Sequence, residues 1–170
     1  MKLRERRRSL AHFTAEVDMA ARNMVTVTYE EISSAFEFVA SGAPMEHSAY
    51  ISLDTGTIYW ASELASLDEE LPDDLDTSDR YLAVPHKTEL DLGRNLALRF
   101  AAQELSDTYE QVAGIFRSKG AYGRFKQLLE DKGVLENWYK FEADACDKAL
   151  REWCAANDIQ IVEGGASSAA

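Results

Sequence analysis

The chain has 170 residues, 46% hydrophobic and 28% charged, a balance able to close one ordinary hydrophobic core. Its formal net charge of -12 sets the mean field of the molecule against phosphates, which opposes general affinity for nucleic acid or anionic membrane. No run approaches the roughly 18 apolar residues that span a bilayer, and no signal-peptide hydrophobic region follows residues 1–8, so the expected address is cytoplasmic.

Residues 1–23 are Arg-rich at the start and weakly amphipathic, with Leu10, Phe13, Val17 and Ala20 at helical spacing. They read as a basic extension outside the fold, with a role as an anchor for a partner as the functional alternative. Strong patterning begins with Thr28, which forms a capping box with Glu31, and Ile32, Phe36 and Val39 then repeat on one face. This predicts a helix over 29–40, ended by Ser41 and Gly42. Alternation follows: Ala49, Ile51 and Leu53 lie on one side of a strand, Asp54-Thr55-Gly56 makes a turn, and Ile58 and Trp60 return. A third strand over 81–84 closes at Pro85, and a small antiparallel meander is the simplest arrangement.

Between the second and third strands, residues 61–79 form a long acidic connection punctuated by Pro72, of the kind more often functional or disordered than structural. From Asp54 to Asp79 there is no Lys or Arg, while nine Asp and Glu accumulate. Asp68, Glu69, Glu70, Asp73, Asp74 and Asp76 are the candidate docking strip for a basic partner. Asp74, Asp76 and Ser78 alternate as in an EF-hand loop, but Asp79 and Pro85 stand where that loop needs Gly and Glu, so no metal is expected.

The remainder predicts helices. One starts at Thr88 and carries Leu92, Leu96 and Phe100; a second, capped by Asp107 with Glu110, carries Tyr109, Val112 and Phe116. Gly120 and Gly123 break the chain before a third over 124–131. The longest runs over 135–156, with Trp138, Phe141, Ala145, Ala149 and Trp153 as its apolar stripe, and Asn157-Asp158 stops it. Residues 159–162 make a final edge strand, and 163–170 read as a flexible tail. Cys146 and Cys154 share the long helix, where about 1.5 Å of rise per residue holds them roughly 12 Å apart, too far for a disulfide. They read as small apolar side chains, and no cofactor is expected.

Three constellations invite chemistry. Asp54-Thr55-Gly56 is the tripeptide of aspartic proteases, yet the chain holds one copy and no second hydrophobic-Gly strand, so the hairpin turn is the stronger reading. Gly120-Ala121-Tyr122-Gly123 between Lys119 and Arg124 has the form of the GXXG loop of KH domains, which makes Arg117, Lys119, Arg124 and Lys126 candidate anion or nucleic-acid contacts. A KH domain needs strands around that loop, and here both neighbours read as helices. Glu142 falls inside the apolar arc of the long helix and is a candidate buried acid, with Arg124 as the basic residue expected to meet it. No catalytic residue is assigned: His12, His47 and His86 lie in separate segments with no nucleophile motif beside them.

Over residues 50–159 the chain resembles a bacterial uncharacterised protein family, UPF0158. The likeness is carried by Leu53-Asp54-Thr55-Gly56, Asp79-Arg80-Tyr81, Val84-Pro85, the run from Gly120 through Lys126, Leu135-Glu136-Asn137-Trp138-Tyr139 and Arg151-Glu152-Trp153. The resemblance implies a shared fold and no activity; residues 1–23 fall outside it. The expected fold is α+β, a small antiparallel β-meander packed against a mainly helical C-terminal half, with 24–162 as one domain. The leading functional expectation is a non-catalytic protein-interaction or regulatory domain for a basic protein partner. Single-stranded nucleic-acid binding through 119–126 is the alternative, and an enzyme with a site unrecognisable by motif is the third. A membrane partner is not expected.

Overall fold

The computed structural model describes residues 24–63 and 70–164; the N-terminal extension, Asp68, Glu69 and most of the C-terminal tail lie outside them. Among the described residues the elements are, in order, β1 (Val25–Thr28), α1 (Tyr29–Ala40), β2 (His47–Ser52), β3 (Ile58–Ser62), β4 (Tyr81–Ala83), α2 (Arg94–Glu104), a 3-10 turn (Ser106–Thr108), α3 (Tyr109–Ile115), α4 (Ala121–Asp131), α5 (Leu135–Ala156) and β5 (Ile159–Val162). The fold is α+β with a three-stranded antiparallel sheet, as the alternation and helical spacing predict. The chain divides into two compact units, Met1–Val84 with Trp153–Ala170, and Pro85–Glu152, where the sequence predicts one domain. No helix of the described residues is long and apolar enough to cross a membrane.

In the first unit, β1 buries Val25 and Val27 and pairs in parallel with β5, Val25 opposite Ile159. The edge strand over 159–162 forms as expected. Its partner β1 is an addition, since four residues of Val-Thr alternation run straight into the capping box. That box forms: Glu31 N donates to Thr28 Oγ1 at 3.1 Å, and Thr28 N donates to Glu31 Oε2 at 2.9 Å. It ties up backbone donors that a helix start leaves open. α1 then buries Ile32, Ala35, Phe36 and Val39.

The three-stranded sheet has the order β3-β2-β4, so β2 is central, whereas a sequential meander would put β3 there. The hairpin holds β3 on one edge of β2, and the long acidic connection lets the chain return to the other edge. The return is stitched by Leu53 N to Arg80 O and Val84 N to Ala49 O, both 2.8 Å. β2 earns the centre because Ala49 and Ile51 are almost wholly buried, while every residue of β3 is half-buried. Gly56 closes the hairpin at φ +78°, and a Cβ there would lie 2.5 Å from the Thr26 carbonyl oxygen. Asp54-Thr55-Gly56 therefore serves as a turn, with Asp54 held by Arg80 at 2.6 Å.

In the second unit, α2 begins at Arg94 and not at Thr88. Residues 86–92 are turns in which His86 N donates to Glu89 Oε1 at 2.9 Å, and Asp91 at φ +57° cannot belong to a helix. Asp107 does not cap α3 either, because the 3-10 turn intervenes and Thr108 at the cap position makes no side-chain capping bond, its hydroxyl donating back to Leu105 O at 3.4 Å. α4 starts directly after Gly120, left-handed at φ +73°, and runs through Gly123, which is a helical residue and not a break. α5 and its stop are as predicted, the stop belonging to the first unit: Asp158 turns the chain at φ +58°, and Asn157 Nδ2 donates to Trp153 O at 2.8 Å.

The interior of this unit is aromatic. Trp138, 1% exposed, meets Phe100 and Phe125 edge-on at centroid distances of 5.4 and 5.1 Å, and Phe116 and Phe141 extend the cluster. Such tilted pairs add about 0.5–1.5 kcal/mol each beyond the area they bury. The Trp138 Nε1 has no hydrogen-bond partner among the described residues, a cost of about 1–3 kcal/mol set against that burial.

Candidate functional site

A strand sends successive side chains to opposite faces, and directly opposed residues share a face. With Ala49 and Ile51 pointing inward beneath α1, where Phe38 also meets His47 and Trp60, the residues Ser48, Tyr50 and Ser52 point outward. Tyr59 opposes Tyr50 across β3, and Tyr81 opposes Ser52 across β4, so three tyrosines share the outer face. The Tyr59 and Tyr81 rings meet edge-on at 6.0 Å. Ser52, between their strands, is 5% exposed and accepts from the Asp54 and Thr55 amides, each at 3.3 Å.

The acidic connection reaches this face. Tyr50 donates its hydroxyl to Asp76 Oδ1 at 3.0 Å. Leu75 is buried and anchors the segment, while Leu75 N to Pro72 O at 3.2 Å and Ser78 N to Asp74 O at 3.0 Å fold it into turns. Glu70, Asp73 and Asp76 are exposed and Asp74 is half-buried. Burial, then the bond to Asp76, raises the Tyr50 hydroxyl above its ordinary pKa; burial, then the charge of Asp74, raises that of Tyr81. Both phenols therefore stay protonated at physiological pH, and that of Tyr50 donates to Asp76.

Charge is segregated between the units. Residues 1–84 and 153–170 hold eighteen Asp and Glu against seven Lys and Arg; six of these cations fall in residues 1–23, and the seventh, Arg80, is paired with Asp54. Residues 85–152 hold twelve Asp and Glu against eleven Lys and Arg. The described part of the candidate docking strip, Glu70, Asp73, Asp74 and Asp76, thus lies in an acidic unit, and Asp76 bonds to the aromatic face.

The other candidate residues are placed differently. Arg117 and Lys119 are exposed in the turn after α3. Arg124 Nη2 donates to Ser118 Oγ at 2.7 Å, Ile115 O at 3.3 Å and Ser118 O at 3.4 Å, so its guanidinium satisfies acceptors at the end of α3. Lys126 Nζ lies 5.6 Å from the Tyr139 ring centroid. Because Gly123 is helical, the four residues 120–123 do not form an open phosphate-clamping loop. Glu142 is half-buried and has no ion pair among the described residues, so Arg124 does not meet it as expected. Its charge, after burial, raises the Tyr122 phenol, whose ring lies 5.1 Å below Lys87 Nζ.

Sequence reasoning missed Tyr50, Tyr59 and Tyr81 as a group. The signal was present: once Asp54-Thr55-Gly56 fixes the hairpin register and Ala49 and Ile51 face the core, Tyr50 and Tyr59 must oppose each other outside. Comparison with protein-family models matches residues 37–166 to an uncharacterised protein family. No curated protein and no solved structure matches the chain.

Proposed function

The chain belongs to the uncharacterised protein family UPF0158, which brings no activity with it, and we propose that it is a non-catalytic, cytoplasmic interaction domain that docks a Lys- and Arg-rich segment of a protein partner. The observation that carries this reading is the Tyr50–Asp76 hydrogen bond, which joins the acidic connection to the three-tyrosine face. Arginine and lysine are attracted to the face of an aromatic ring, by about 0.5–1 kcal/mol at exposed sites, and to carboxylates through charge-assisted bonds. A surface offering both suits a cationic peptide better than any apolar ligand. Over residues 24–84 and 153–170 the one cation, Arg80, is already paired with Asp54, so the long-range field of these residues steers basic partners inward and repels polyanions.

The test is calorimetric titration of a nona-arginine peptide into the full chain at low salt. Replacing Asp73, Asp74 and Asp76 together by Asn should weaken binding about tenfold, at roughly 0.5 kcal/mol per exposed carboxylate. Absence of binding to the unmodified chain, or equal affinity in the triple variant, refutes the reading.

A further inference from the structure

We draw no further inference here: the strongest candidate, the N-terminus of α2 at Gly93, which has no side-chain cap and lies beside the half-buried Tyr122 and the Lys87 ammonium over its ring, is a helix N-terminus with nothing else among the described residues that points to a ligand.

Discussion

The two units use aromatic residues in opposite ways. In Pro85–Glu152 the rings of Phe100, Phe116, Phe125, Trp138 and Phe141 lock edge to face around a tryptophan that is 1% exposed, and the surrounding charges nearly cancel. In the sheet unit Tyr50, Tyr59 and Tyr81 are half-buried on an outer face, where Tyr50 bonds to Asp76 of the acidic connection. Phenylalanine and tryptophan spent on an interior contribute stability. Tyrosine kept at a surface among acids is, in the function proposed above, available for recognition. Aromatic content alone does not separate the two uses; the neighbours of each ring do.

That contrast breaks most easily at Trp138. Trp138→Ala should cost about 3–5 kcal/mol by removing the ring on which the cluster converges, read as a fall in the denaturation midpoint. The sheet unit is more sensitive to backbone than to volume. Gly56→Ala, which combines a positive φ with a Cβ 2.5 Å from a backbone oxygen, should cost about 2 kcal/mol in the same assay. Thr28→Ala removes the side-chain half of the capping box, leaving the bond from the Thr28 amide to Glu31, and should cost about 1 kcal/mol.

The same box carries a pH signature. Bonds from Thr28, backbone first and then side chain, hold the Glu31 carboxyl below its ordinary value of 4.5. A depressed folded-state pKa means the contribution is present above 4.5 and is lost as pH falls through the lowered value. Stability measured on acidification should therefore drop less steeply in Thr28→Ala. The smallest effect distinguishes the two thiols: burial pushes Cys154 up to about 11, while Cys146 is half-buried. A thiol reagent at neutral pH should titrate Cys146 in the native chain and reach Cys154 only on unfolding.

Much of this fold was legible because local rules and burial agree. The Thr28–Glu31 box fixed the start of α1, the 3.6-residue stripe fixed α5, and the hairpin turn fixed β2 against β3. The failures came where a tertiary or backbone constraint overrode a local signal. Thr88 resembles a helix start, but His86 and Glu89 fold that segment into turns. Gly123 resembles a breaker, yet a single glycine costs a helix only about 1 kcal/mol, and α4 absorbs it. The central place of β2 could not be read from strand order, since a long connection permits return to either edge. The acidic strip was visible as composition, whereas its tie to Tyr50 needed the pairing register and the position of Leu75.

The central claim is that recognition belongs to the tyrosine face and not to the aromatic helical unit. Its most direct test is to follow aromatic and amide resonances of the whole chain while nona-arginine is added. Saturable shifts centred on Tyr50, Tyr59 and Tyr81, with Tyr122 and Tyr139 unmoved, are the expected result. Shifts distributed evenly over the carboxylates of both units, or centred on Tyr122 and Tyr139, would contradict it.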